Sequence, residues 1–275
     1  MTEITFKYGS LIRTGPKLKY GGKWDATLEE YVRNARTNAD LEIAIRVHFV
    51  KIDPASGRTG LHGDHDDRPG HPSLRRIQRW APHEFENFTR RLVSSAQRYW
   101  NGVFWLQPPR GFAGLDWPDA RPTHRCNLYC KLDLQQVMHE ADAHYTIAAV
   151  RVQDGEVFRS DSALYRNTEI VGDRRIPHST VKFWAHFHEV GHLLGLGHIG
   201  WAGHRNTSDS DPRAYGVTLR DKSDVMGSGS VRQAWHALPW QQAAGEFTST
   251  KASDWTVHMH HFAPQALAHA VGAHR

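Results

Sequence analysis

The chain has 275 residues, of which 39% are hydrophobic and 23% charged, a balance that fits a globular protein and excludes disordered or collagen-like classes. Its net charge is +5, yet Lys and Arg are scattered with no basic stripe among aromatic residues, so no nucleic-acid partner is expected. No run of about 18 apolar residues occurs, so no membrane span is expected.

The N-terminal MTEITFKYGS carries charges at positions 3 and 7 and lacks the apolar core of a Sec signal peptide. The expectation is therefore a cytoplasmic protein, or one exported by a leaderless route such as an injection system or lysis. Residues 1–40 read as an N-terminal extension, with turn signals at Thr14-Gly15-Pro16 and Gly21-Gly22 and a short helix around Thr27 to Ala35.

Leu41, Ile43, Ile45, Val47 and Phe49 alternate with Glu42, Arg46 and His48, which predicts a strand. A polar loop follows from Asp53 to Pro72. Within it His62, Asp64, His65, Asp66, Asp67 and His71 form either a solvated loop or a second metal site. Phe85, Phe88, Leu92, Ala96 and Tyr99 recur at three- and four-residue steps, predicting an amphipathic helix over about 82–100. Gly102 to Gln107 is a candidate short strand before a Pro/Gly-rich loop at 108–122.

Cys126, Leu128, Cys130, Leu132 and Leu134 then alternate with polar or amphipathic residues, the pattern of a half-buried strand. Four residues along a strand span roughly 13 Å, whereas bridged Cα atoms lie within about 7 Å, so a Cys126–Cys130 disulfide is not expected. Tyr145 to Val152 and Glu156 to Tyr165 flank Asp154-Gly155 and read as a hairpin. After Pro177 the pattern turns helical, with Phe183, Phe187, Val190 and Leu194 on one stripe and Ser179 or Thr180 as candidate cap. A last helix is expected at Trp240 to Phe247, with Pro239 in its first turn. Together these elements predict an α+β fold.

The end of the helix after Pro177 and the turn beyond it read His188-Glu189-Val190-Gly191-His192-Leu193-Leu194-Gly195-Leu196-Gly197-His198. His188 and His192 are four apart, so their rings leave one side of a helix one turn apart. Gly195 is a helix stop that lets the chain bend back, so that His198 can complete a three-histidine site. Glu189 falls where a carboxylate reaches water at such a site. The chain is rich in histidine, with 20, yet these five fixed residues would co-occur by accident on the order of once in a few thousand chains of this composition.

The pattern HExxHxxGxxH resembles the signature of the metzincin clan of zinc endopeptidases. Ser223-Asp224-Val225-Met226-Gly227 looks like that clan's methionine turn, with Met226 placed 28 residues after His198 (226 − 198). The resemblance implies a Zn²⁺ cofactor bound by His188, His192 and His198, Glu189 as general base, and Met226 as a hydrophobic floor. It also implies a metzincin-like fold: a twisted mixed sheet with a backing helix and the active-site helix in an N-terminal lobe (41–200), then a smaller irregular C-terminal lobe (201–275) carrying the methionine turn. A monomer acting on a protein or peptide substrate is expected, and a secreted or injected bacterial toxin or effector is compatible with that expectation. The competing expectation is a non-catalytic zinc scaffold in a phage or injection particle; the presence of Glu189 favours catalysis. Ile199, directly after the third histidine, matches none of the common subfamily residues, and Ser228 stands where astacins and serralysins carry a tyrosine. His204 and Tyr215 lie between His198 and Met226, and either can reach the cleft to stabilise an oxyanion. Asn206 to Asp211 resembles a fragment of a calcium loop without the Gly and Glu that an EF-hand requires.

Overall fold

The alternation of Leu41, Ile43, Ile45, Val47 and Phe49 belongs to a strand of fourteen residues, Ala39–Ile52, and the rest of the molecule is arranged about it. The computed structural model describes residues 5–8, 13–15, 18–30, 39–64, 74–112, 127–156, 158–172, 174–175, 182–202 and 212–260. Thr5–Tyr8 (β1), Arg13–Gly15 (β2), Leu18–Gly22 (β3), Asp25–Glu30 (β4), Ala39–Ile52 (β5), Thr59–Gly63 (β6) and Leu74–Gln78 (β7) precede the helix Glu84–Trp100 (α1). Phe104–Gln107 (β8), Leu128–Gln136 (β9), Tyr145–Val152 (β10), Leu164–Arg166 (β11), Arg174–Arg175 (β12) and Lys182–Phe183 (β13) lead to the helix Ala185–Leu193 (α2). Leu219–Ser223 (α3), Leu238–Thr248 (α4) and Thr256–Met259 (β14) complete the described strands and α-helices, which short 3-10 turns connect in places.

The fold is α+β, as expected, with a twisted mixed sheet in the order β14-β8-β9-β5-β10-β7-β6; β4 and β1 extend from β5, and β11 from β10. β5 runs parallel to β9 and β10 and antiparallel to β4. Register decides which side chains share a face. Leu41 pairs with Cys130 and Leu28, and Ile43 with Leu132 and Ala26, so these apolar residues form one continuous buried face. α1 lies against β9 and α2, and α4 against β5. Phe88, Leu92, Ala96, Tyr99 and Trp100 supply the buried stripe of α1, the face its periodicity predicts. Cys130 is buried and unbridged, while Cys126 lies outside the described residues.

Three expectations change. Thr27–Glu30 belongs to strand β4, not to a helix: Ala26 and Leu28 face the core, and their backbone pairs with β5. Asp154-Gly155 does form a turn, but the chain beyond it does not fold back as a hairpin partner. The end of β10 pairs antiparallel with β7 at Val152–Ile77, and Leu164–Arg166 returns alongside β10 in parallel. Finally, the helix expected after Pro177 begins only at Ala185, because Lys182–Phe183 pairs with Arg174–Arg175; Ser179 and Thr180 lie outside the described residues. The helix at Leu238–Thr248, with Pro239 in its first turn, is where it was expected. No helix among the described residues is long and apolar enough to cross a membrane.

Candidate metal centre

α2 is a poor helix by composition, since Gly191 and three histidines occupy a nine-residue span, and packing must hold it in place. Every residue from His186 to Leu193 is buried. Gly191 sits where a Cβ would stand 2.3 Å from the Met226 sulfur, so the methionine packs directly against the helix backbone. Met226 is itself fully buried.

The helix ends in a Schellman motif. The Leu196 N–H donates to the Gly191 carbonyl (2.9 Å) and the Gly195 N–H to the His192 carbonyl (2.8 Å), with Gly195 at φ 93°. This reversal puts the Leu196 carbonyl beside the His192 ring, where it accepts a hydrogen bond from Nδ1 (2.8 Å). Two residues on, His198 comes back over the helix. The N–H of Ile199 then donates to the Met226 carbonyl (3.1 Å), which ties the return of the chain to the methionine segment.

His188, His192 and His198 are all buried and form a group able to hold a metal ion. Their Nε2 atoms make a nearly equilateral triangle: 3.0 Å from His188 to His192, 3.1 Å from His188 to His198 and 3.1 Å from His192 to His198. Nδ1 of His188 faces the Val225 carbonyl at 2.7 Å, as Nδ1 of His192 faces that of Leu196. A carbonyl only accepts, so these Nδ1 atoms carry the protons and both Nε2 atoms present lone pairs to the centre of the triangle. Burial pushes the His192 ring down to about 4, which keeps it neutral near pH 7. Converging lone pairs repel one another unless a cation lies between them, and a tetrahedral ion about 2.0–2.1 Å from each nitrogen separates them by roughly 3.3 Å. The donor set fits a metal.

Glu189, next to the first histidine, is buried with them. The Tyr165 hydroxyl is pushed far above its usual range, first by its own burial and then by the Glu189 carboxylate. Tyr215 reaches the centre: its ring lies 4.3 Å from that of His198 and stacks at 23° on that of His188, 5.8 Å away. Phe183 covers another side of His188 at 5.8 Å. His204, His65, Asp66, Asp67, His71 and the 206–211 segment lie outside the described residues. His62 turns its Nδ1 to the neighbouring Gly63 carbonyl (2.6 Å), and Asp64 is paired with Arg75 (2.8 Å) in a buried ion pair.

Sequence reasoning located the histidines, Glu189 and Met226, but missed Phe183, which it placed on a helix stripe, and the carbonyls of Val225 and Leu196. Backbone acceptors leave no trace in residue identity. No family model matches the chain, and neither a curated protein nor a solved structure does.

Proposed function

We infer that the protein is a zinc-dependent endopeptidase of the metzincin type. The observation that carries this reading is the triangle of buried Nε2 atoms 3.0–3.1 Å apart, held by carbonyl-anchored rings, with a buried glutamate adjacent to the first ligand. The HExxHxxGxxH pattern, the Schellman reversal at Gly195 and the packing of Met226 against the ligand helix support it, as does the order of strand, backing helix, further strands and ligand helix.

His188, His192 and His198 would hold the ion, and zinc there supplies a Lewis acid that polarises the scissile carbonyl and acidifies the attacking water. The protein's own residues do the rest. Glu189 accepts the proton of the water as its oxygen adds to the carbonyl carbon, then gives that proton to the amine nitrogen as the C–N bond breaks. The Leu196 and Val225 carbonyls keep the His192 and His188 rings turned with Nε2 inward. Tyr215, stacked on His188 and tilted against His198, forms a wall beside the histidine triangle. An extended peptide is expected to lie along an exposed strand edge of the sheet.

The test joins metal analysis to proteolysis of a denatured protein pool, comparing the unaltered chain with Glu189→Ala. The expected result is about one zinc per chain in both proteins and cleavage by the unaltered chain alone. Stoichiometric zinc with no cleavage by either would point to a non-catalytic zinc scaffold, and absence of zinc from both would end the reading altogether.

A further inference from the structure

We propose that Asp224 and His236 are positioning residues for the metal centre, a buried carboxylate–imidazole pair that fixes the backbone turn on which His188 and the return of His198 are hung. The proposal rests on the reading of the three histidines as metal ligands.

Asp224 directly follows α3 and is 1% exposed. Its Oδ1 accepts the backbone N–H of Met226 (2.7 Å) and Nε2 of His236 (2.9 Å), and its Oδ2 accepts the Trp235 indole N–H (3.2 Å). The tautomer of His236 follows from its other neighbour. The Gln233 N–H donates to Nδ1 (2.8 Å), so the ring proton resides on Nε2 and points at Asp224. The backbone of Asp224 joins in, its carbonyl accepting the N–H groups of Gly227 (2.9 Å) and Gly229 (3.1 Å).

The consequence lies at the next two residues. The Met226 N–H, which shares a peptide plane with the Val225 carbonyl, is bound to the Asp224 side chain, and the Gly227 N–H, which shares one with the Met226 carbonyl, to the Asp224 carbonyl (2.9 Å), so both planes are fixed. Their carbonyls are then fixed as well: that of Val225 accepts from His188 Nδ1 (2.7 Å), and that of Met226 accepts from the N–H of Ile199 (3.1 Å). One carboxylate thus sets the turn, and the turn sets the rotation of one ligand ring and the backbone position beside another. A buried ionisable pair is a weak source of stability, because desolvation offsets much of its attraction. What it supplies, and an apolar pair of equal volume would not, is directed hydrogen bonding to a turn amide.

The experiment measures zinc affinity by chelator competition, and the visible spectrum of the cobalt-substituted protein, for four full-length variants. Asp224→Asn and His236→Phe are expected to loosen zinc by about 10- to 100-fold and to shift the cobalt bands. His236→Gln, which keeps an N–H near the place of Nε2, is expected to recover most of the affinity. Val152→Ala, in the separate cluster of Ile77, Val150, Phe158 and Leu164, is expected to lower the stability of the metal-free protein and leave zinc affinity unchanged. Near-UV circular dichroism checks that each metal-free variant is folded, and where Asp224→Asn is not, the two His236 variants decide. Unchanged affinity and spectrum in His236→Phe would overturn the proposal, as would an equal loss in His236→Gln or in Val152→Ala. An unaltered chain that binds no zinc overturns instead the functional reading beneath it.

Discussion

At the scale of single residues, Gly191 shows a local rule giving way to a close contact. A glycine inside a helix costs about 1 kcal/mol relative to alanine, so Gly191→Ala should stabilise α2 on propensity alone. The added Cβ, however, would stand 2.3 Å from the Met226 sulfur and 3.4 Å from the Trp100 ring. Methionine is the most adaptable of core side chains, but Met226 is fully buried, and Trp100 closes the same space. Overpacking should therefore win, and Gly191→Ala is expected to destabilise the metal-free protein by about 1–3 kcal/mol in urea denaturation. Combining it with Met226→Ala, which vacates the contested volume, is expected to cost less than the sum of the two single changes. A stabilised Gly191→Ala protein would show that the methionine does not press on the helix.

At the scale of elements, the turn after α2 matters more than the helix itself. Gly195 at φ 93° lies where an L-residue is strained, and the Schellman bonds it permits deliver the Leu196 carbonyl to His192. Gly195→Ala is expected to lower stability by about 1–2 kcal/mol in thermal denaturation. On the zinc reading it should also weaken metal binding, whereas Gly57→Ala, another positive-φ position (φ 67°) in the turn between β5 and β6, should affect stability alone. Equal zinc affinity in the two proteins would detach the turn from the site. This reversal was legible in the sequence because glycine is nearly obligatory at such a conformation, and so were α1 and β5, whose periodicities extend over many residues. Short elements were not. Thr27–Glu30 is polar enough to suit a helix surface, and only pairing with Glu42 to Ala39 across β5 makes it a strand. Glu156 to Tyr165 was expected to form the second strand of a hairpin, yet Leu164–Arg166 takes a parallel place beside β10, a choice made by long-range contacts that no local pattern records. Of the site, the three clustered histidines were legible through their spacing, while the carbonyls that orient their rings depend on how Val225 and Leu196 are packed.

At the scale of the whole molecule, the sheet buries one apolar face beneath its helices, and α2 lies inside that core with its imidazoles desolvated. His186 illustrates the consequence. Its Nδ1 donates to the Glu169 carbonyl (2.9 Å) and its Nε2 accepts from the Ser95 hydroxyl (2.8 Å), so the neutral ring is satisfied on both sides. Burial pushes this ring down to about 3 and that of His192 to about 4, from an unfolded value of 6.5. Since the folded values are depressed, the unfolded chain binds protons that the folded chain refuses, and stability must fall as pH drops below 6.5. Each ring removes up to about 1.4 kcal/mol per pH unit in that window, before protonation of the folded state levels the loss. In the metal-free protein, the urea midpoint is therefore expected to decline steadily from pH 7 to pH 5, above the range in which carboxylates begin to titrate. His186→Gln, which keeps a donor and an acceptor but no titratable ring, is expected to reduce that slope. A midpoint flat over the window, or a slope unchanged in His186→Gln, would mean that α2 is open to water and that its histidines are not held neutral by burial.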